Sequence, residues 1–240
     1  MKAIIVAAGK GSRISEDIAH IPKSTLKYKN MPIIRRTVEI LESFQVSTIV
    51  CTGYKYQKIM EALEGKNVQY YYNPFYEVTN NIASLWFAQD EFNDDILILS
   101  ADVIFEENII KRLIEAPSDL ALAVDKSKVD EGDYFLQLDD NNHILAYGKD
   151  LPEPKRTSEN IGIAKISCNK VKLFKRTLNN LIQDGLYTIY YEQVFFELMQ
   201  QGYRIQGIDM SQLEWAEIDY YEDYCKVLEK IDKDMKNEEK

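Results

Sequence analysis

The run Ile4-Ile5-Val6-Ala7-Ala8-Gly9-Lys10-Gly11-Ser12-Arg13, with Pro22-Lys23 behind it, decides the fold. Its first residues are apolar and partly β-branched and stop at glycine, the pattern of a buried parallel strand running into a loop. Two glycines bracketing Lys10 let backbone N–H groups turn toward a ligand, while Ser12, Arg13 and Lys23 add a hydroxyl and two fixed positive charges. Such a loop cradles polyphosphate. Spacing excludes two common versions of it. The dinucleotide pattern G-x-G-x-x-G needs a third glycine where Ile14 stands, and a Walker loop needs glycine ahead of Lys-Ser, whereas Lys23-Ser24 follows Pro22.

Outward from this loop, the first half alternates. Pro32 opens a helix with Ile33, Thr37, Ile40, Leu41 and Phe44 on one side; strands are expected at 46–52, 68–72 and 95–102, and helices at 55–63 and 82–92. That rhythm predicts an α/β fold with a Rossmann-like, doubly wound, mostly parallel sheet, with ligands at the carboxyl ends of its strands. Gly9, Gly53, Asn73 and Asp102 fall there. The second half changes character: a strand at 120–124, a hairpin of 134–138 and 144–147, a loop at 152–155, a strand at 161–167, helices at 171–182 and 189–200, strands at 205–208 and 215–218, and a last helix carrying Tyr220, Tyr224, Val227, Leu228 and Ile231. With no repeat and no long linker, 1–240 reads as one domain with a mixed sheet.

Composition bounds the function. The 240 residues are 45% hydrophobic and 28% charged, as expected of a globular chain. No apolar run reaches the ~20 residues of a membrane span or the ~7–15 of a leader's core, so a cytoplasmic protein is expected. Cys51, Cys168 and Cys225 are too scattered for a zinc site or a disulfide framework. The net charge of −10 argues against a nucleic-acid partner. Its distribution is uneven: six basic and two acidic residues through Lys29, eleven acidic and five basic from Asp209 on. An anionic triphosphate is repelled by the whole and held by the N-terminal loop, within a Debye length of ~8 Å.

Two carboxylate motifs stand opposite that positive loop. Ser100-Ala101-Asp102 closes an apolar strand, and Glu217-Ile218-Asp219 closes a late one, where alternation places Glu217 and Asp219 on the same side. Brought together, Asp102 and Asp219 can hold Mg²⁺ against phosphate oxygens, since Mg²⁺ binds through one or two carboxylates plus phosphates. An Asp after a strand also serves as a turn or helix cap, so only the fold decides.

The A-A-G-x-G-S-R loop with its P-K, together with Asn73, Asn80-Asn81-Ile82-Ala83-Ser84-Leu85, Ser100-Ala101-Asp102, Tyr147-Gly148-Lys149, Glu159-Asn160-Ile161-Gly162 and Trp215-Ala216-Glu217-Ile218-Asp219, resembles the nucleotidyltransferases of sugar-nucleotide synthesis. Within them it is similar to the CTP-using phosphocholine, phosphonate and phosphoglutamine cytidylyltransferases, over essentially the whole chain. The resemblance implies a nucleotide-diphospho-sugar transferase-like fold with a small acceptor-binding lobe, 1–125 mainly binding nucleotide, 126–219 mainly binding acceptor, and 220–240 a helix and tail. It implies that Ala7, Ala8, Gly9, Gly11, Ser12, Asn80, Asn81, Ser84 and Asp102 bind nucleotide, and that Arg13 and Lys23 bind triphosphate as catalytic residues. It further implies that Lys149 contacts the acceptor phosphate as a catalytic residue, that Glu159, Tyr191, Glu192, Trp215 and Glu217 line the acceptor site, and that Asp102 and Asp219 ligate Mg²⁺. Asn160 departs from the pattern, standing where an aromatic residue is expected. The partners so implied are CTP and a small phosphorylated acceptor, without membrane or nucleic acid, and a homodimer is compatible.

The reaction implied is attack of an acceptor oxygen on the α-phosphorus with pyrophosphate leaving. Because that oxygen is already ionised at neutral pH, positioning and charge neutralisation suffice, which suits a chain whose only histidines are His20 and His143. Tyr187, Tyr190, Tyr191, Trp215 and Tyr220 beside Glu192 and Glu217 offer cation–π and ionic contacts to an amine. Several of these aromatics equally fit the inner stripe of a helix. A sugar-1-phosphate nucleotidyltransferase shares the loop and the carboxylates, and a non-catalytic nucleotide-binding subunit is the remaining alternative, although Lys23 and both aspartates are present.

Overall fold

A computed structural model describes residues 1–14, 16–129, 132 and 134–238, with side chains through residue 230. The side chain of Ile231 and residues 239–240 of the tail lie outside the described residues. The chain runs β1 (Lys2–Ala7), β2 (Lys27–Tyr28), β3 (Met31–Pro32), α1 (Ile33–Ser43), β4 (Ser47–Thr52), α2 (Tyr56–Ala62), β5 (Val68–Tyr72), α3 (Asn81–Phe87), β6 (Ile96–Ser100), β7 (Val103–Phe105) and α4 (Glu107–Glu115). It continues through β8 (Leu120–Asp125), β9 (Phe135–Leu138), β10 (Ile144–Gly148), β11 (Ser158–Ile166), α5 (Cys168–Gln183), α6 (Glu192–Gln200), β12 (Gln206–Asp209), β13 (Trp215–Glu217) and α7 (Tyr221–Glu238).

The main sheet has the order β10-β9-β11-β6-β1-β4-β5, and β8 pairs with β11 and carries β12. β1 lies parallel between β4 and β6, and β5 continues the parallel set. Alternation along these strands feeds two apolar layers. Ile4, Ile49 and Ile98 face the side covered by α3, α5 and α6, where Leu85, Phe174 and Phe195 pack. Ile5, Val50 and Leu99 face α1, α2 and α4, meeting Ile34, Ile59 and Ile109. With both faces covered, the central strands read as unbroken apolar runs.

β11 inverts the sheet. It runs antiparallel to β6, β8 and β9, and its pairing with β8 shifts between Asn160 and Ala164. Gly162 sits in that irregularity with φ +79°, where a Cβ would come within 3.0 Å of Ser100 Oγ. Glycine therefore fits both the conformation and the close approach.

The sequence reading misses the two-residue pair β2–β3, β7 and α4. β7, three residues long, pairs antiparallel with β13 in a separate small sheet, matching Val103 with Glu217 and Phe105 with Trp215. α4 buries Ile109, Ile110 and Leu113. A third apolar cluster, of Ile14, Ile18, Leu26, Ile33, Ile104 and Ile218, packs the segment after the glycine loop onto this small sheet. Other boundaries move by a few residues: the helix expected at 82–92 ends at Phe87 and gives way to a 3₁₀ turn, and the strand expected from Ile161 starts at Ser158. No described helix is long and apolar enough to cross a membrane.

Lys165, buried in β11, donates to the carbonyls of Ile114 and Ala116 at 2.9 and 2.6 Å, satisfying the open C-terminal end of α4. Lys165→Met keeps the aliphatic stem and strands those carbonyls. Urea unfolding is expected to show a loss of ~1–3 kcal/mol; an unchanged midpoint would contradict this role.

Candidate active site

The cleft opens at the carboxyl ends of β1 and β6, a cavity of about 220 Å³. Its floor is the loop after β1. Gly11 has φ +61°, and a Cβ there would stand 2.8 Å from Lys23 Cγ, so glycine lets the Lys23 stem pass under the loop. Pro22 holds an extended conformation ahead of the short turn Lys23–Thr25, and Thr25 Oγ1 donates to the Pro22 carbonyl at 2.8 Å.

Lys23 is the centre of the charge arrangement. Its Nζ lies 2.6 Å from Asp102 Oδ2 and 2.9 Å from Asp219 Oδ1, and it donates to the Ile218 carbonyl at 2.8 Å. Burial pulls the Lys23 ammonium down, and the charges and hydrogen bonds of the two aspartates overcome this and raise it well above the ordinary lysine value. Arg13 Nη1 stands 3.0 Å from Asp219 Oδ2, and its guanidinium lies over the Tyr220 ring.

Asp102 and Asp219 converge because of the short pair β7–β13. Asp102 immediately precedes β7 and Asp219 follows β13, and Ile218 N donates to the Asp102 carbonyl at 3.1 Å. Glu217 joins them: carboxylate oxygens of Asp102, Glu217 and Asp219 all lie within 4.8 Å of one another, the one such group among the described residues. An all-oxygen, anionic donor set of this size fits a hard divalent cation.

The opposite wall is built by α3, α6 and the β11 irregularity. Asn80 caps α3 by accepting from Asn81 N at 2.8 Å, while Asn81 Oδ1 accepts from Tyr191 N at 2.7 Å and so ties α3 to the start of α6. Asn73 Nδ2 donates to Ser84 Oγ at 3.0 Å. Glu192, 5% exposed, lines the cleft. Its Oε1 accepts from Asn160 Nδ2 at 3.3 Å, and its Oε2 is buried without a hydrogen-bond partner among the described residues. Burial raises the Glu192 carboxyl to about 7, against hydrogen bonds that lower it, with the Asp102 charge adding to the rise.

Of the residues singled out in the sequence, Ala7, Ala8, Gly9, Gly11, Arg13, Lys23, Asn80, Asn81, Ser84, Asp102, Glu192, Glu217 and Asp219 all line this cleft. Others do not. Ser12 is exposed beside it. Tyr191 is fully buried in the core of the α5–α6 side, because α6 begins at Glu192 and turns the tyrosine inward. Glu159 and Trp215 line a neighbouring cavity of about 450 Å³ that shares Glu217 and Asp219. Trp215 Nε1 donates to Asp125 Oδ2 at 2.8 Å. Lys149 stands outside the lining, its Nζ 4.7 and 5.8 Å from the ring centres of Tyr134 and Tyr190. Ser100 and Gly162, quoted in motifs but given no role, and Tyr134 also line the cleft; Gly162 carried the signal, a glycine inside a strand pattern.

A glycine loop with two cations, facing a carboxylate group at the mouth of a parallel sheet, defines a nucleotide-handling enzyme of the doubly wound class. The chain belongs to the MobA-like NTP transferase domain family, which matches residues 3–186. It is 27% identical to the CTP:phosphoglutamine cytidylyltransferase of Campylobacter jejuni, over 96% of this chain and 100% of the relative. It is 25% identical to the choline-phosphate cytidylyltransferase of Haemophilus influenzae, over 96% and 97%. The solved CTP:phosphocholine cytidylyltransferase LicC of Streptococcus pneumoniae superposes with a TM-score of 0.78 at 18% identity, covering 96% of this chain and 98% of that one, a likeness of fold.

The buried Glu192 makes stability depend on pH. Its carboxyl rises in the fold from the ordinary 4.5 to about 7, so the folded protein holds this proton more tightly than the unfolded chain. Its contribution therefore weakens as pH rises between those values and is lost above them. Glu192→Gln removes the ionisation. Urea unfolding is expected to find the variant more stable than the parent by ~1–3 kcal/mol at pH 8, the gap closing toward pH 4.5; a constant gap would refute the buried carboxyl as its source.

Proposed function

We propose that the chain transfers the cytidylyl group of CTP to a small phosphorylated or phosphonylated acceptor and releases pyrophosphate. The observation that carries this is the meeting of Lys23 and Arg13 with Asp102, Glu217 and Asp219 at the mouth of the glycine loop. CTP as donor is supported by two relatives that each match over 96% of this chain, both cytidylyltransferases.

In this reading the loop from Ala7 to Gly11 and the α3 residues Asn80, Asn81 and Ser84 hold the base, ribose and phosphates. Backbone groups and asparagine amides can match the exocyclic amine, N3 and O2 of cytosine. Lys23 and Arg13 neutralise the triphosphate; Lys149, stationed over Tyr134 and Tyr190, meets the acceptor's phosphoryl oxygens. An ionised acceptor oxygen attacks the α-phosphorus in line, a new P–O bond forms, and the bond to the pyrophosphate oxygen breaks with its electron pair. No proton has to be removed, so the residues act by bringing two anions together and stabilising the charge on the departing oxygen. Asp102, Glu217 and Asp219 would hold Mg²⁺, which supplies further neutralisation of phosphate oxygens when bound.

A panel of four NTPs against phosphocholine, aminoalkylphosphonates, phosphoglutamine and sugar 1-phosphates, with Mg²⁺ and pyrophosphate as readout, tests the reading. CTP with an amine-bearing acceptor is expected to lead. Lys23→Ala and Asp102→Ala, checked by circular dichroism for folding, are each expected to lower kcat at least ~100-fold. Turnover led by a sugar phosphate, or pyrophosphate release unchanged in both variants, would sink the assignment.

A further inference from the structure

Resting on the reading of this cleft as the site of cytidylyl transfer, we infer that Tyr76, seated against Gly53 on a loop that Asn73 holds, is the gate that limits the donor to nucleotides with a single-ring base. The fold decides which end of the cleft the base takes. Lys23 and Arg13 stand with the carboxylate group on the β6 side, where Asp102 follows the strand, and there they meet the phosphates. β4 flanks β1 on the other side. A nucleotide whose phosphates lie against the cations therefore extends its base toward β4, where Tyr76 lines the cleft together with Ala8 and Thr79.

The loop that carries Tyr76 is closed by one buried side chain. Asn73, 1% exposed, follows β5 and donates its backbone N–H to the Thr52 carbonyl at 2.8 Å. Its Oδ1 accepts from Phe75 N at 2.9 Å, and its Nδ2 donates to Thr79 Oγ1 and Ser84 Oγ, each at 3.0 Å. Thr79 Oγ1 in turn donates to the Phe75 carbonyl at 2.8 Å. Both ends of the segment are thus clamped and tied to α3, and a satisfied buried network of this kind rigidifies what it joins. The Tyr76 ring has little freedom to swing aside for a larger base.

Gly53, directly after β4, supplies the seat. A Cβ there would stand 2.7 Å from both the Ala8 carbonyl oxygen and Tyr76 Cβ, so glycine lets the tyrosine and the glycine loop close on one point. Tyr54 braces the same corner: its ring centre lies 6.2 Å from that of Tyr76, its N–H donates to the Ala8 carbonyl at 3.0 Å, and its hydroxyl donates to the His20 carbonyl at 2.8 Å. The distance between the Ala8 backbone and the Tyr76 ring is therefore set by packing on three sides. A purine exceeds a pyrimidine by a fused ring, and a braced wall rejects by length what hydrogen bonding alone would accept. The cleft of about 220 Å³ must also admit the acceptor, which leaves little room for that second ring.

The test is kcat/KM, read as pyrophosphate release, for CTP, UTP, ATP and GTP with one saturating acceptor and Mg²⁺. It is run on the full chain and on Tyr76→Phe, Tyr76→Leu and Tyr76→Ala, each checked by circular dichroism for folding. The parent is expected to favour CTP over both purine nucleotides, and Tyr76→Phe to keep that preference. In Tyr76→Ala the ATP/CTP and GTP/CTP ratios are expected to rise ~10–100-fold, with Tyr76→Leu between. The UTP/CTP ratio is expected to hold across the series, since both bases have one ring, and the acceptor KM to hold with it, a split that general loosening of the cleft would not give. Calorimetric titration of the four nucleotides is expected to follow the same order. Purine ratios that stay at the parent value in Tyr76→Ala and Tyr76→Leu overturn the inference while turnover of CTP leaves the functional reading standing; a parent that takes ATP as readily as CTP also overturns it. A parent that neither binds nor turns over any of the four fails the functional reading, and the inference falls with it.

Discussion

The Lys23 ammonium between the Asp102 and Asp219 carboxylates is the interaction on which the arrangement of the site depends. Each partner arrives from a different part of the chain: the turn after the glycine loop, the end of β6, and the segment after β13. Three carboxylates this close repel, and with them half-buried the repulsion is only partly screened. Lys23 and Arg13 offset it, which is why the raised lysine and the acidic cluster have to be explained together. Removing one member of such a group leaves the others buried and uncompensated, a larger penalty than the loss of a surface pair. The apolar cluster of Ile14, Leu26, Ile104 and Ile218 holds the same three segments together from beneath, so packing and charge act on one geometry.

Much of this was legible in the sequence, and for stated reasons. The apolar runs of β1, β4 and β6 announce a sheet covered on both faces, and the glycines announce where its ligand-binding edge lies. The acidic residues were recognisable as types, and alternation placed Glu217 beside Asp219. That Asp219 meets Asp102 was implied by the resemblance and not by periodicity, because β7 is a three-residue strand between a turn and an acidic helix start, too short to show any period. Resemblance assigned Glu217 to the acceptor side; the fold places it in the carboxylate group and on the walls of both cavities. Tyr191 and Glu192 show the limit from the other direction. Both were expected at the acceptor site and both are buried, but only Glu192 lines the cleft, and the helix expected from 189 begins at 192.

Asn81 illustrates a role that sequence position alone obscures. Placed at the start of α3, it reads as a cap or a base contact, yet its side chain accepts from Tyr191 N across 110 positions of chain, and Asn80 N donates to the Tyr187 carbonyl nearby. Both bonds fasten the wall of the first half to the wall of the second. α3 and the Glu192 wall therefore keep a fixed spacing, and an in-line displacement needs fixed spacing more than it needs any single contact.

The two walls of the cleft are built differently. Charge handling is concentrated in Lys23, Arg13 and the three carboxylates, on elements anchored by the parallel core. On the opposite wall, Asn160 and Glu192 sit on β11 and at the start of α6, where the strand departs from regular pairing near Gly162. Irregular backbone tolerates side-chain exchange better than a central parallel strand, since no uniform ladder constrains the neighbouring positions. A change at Asn160 can therefore re-aim Glu192 without moving Asp102, whose place is set by β6 and by the pairing of β7 with β13.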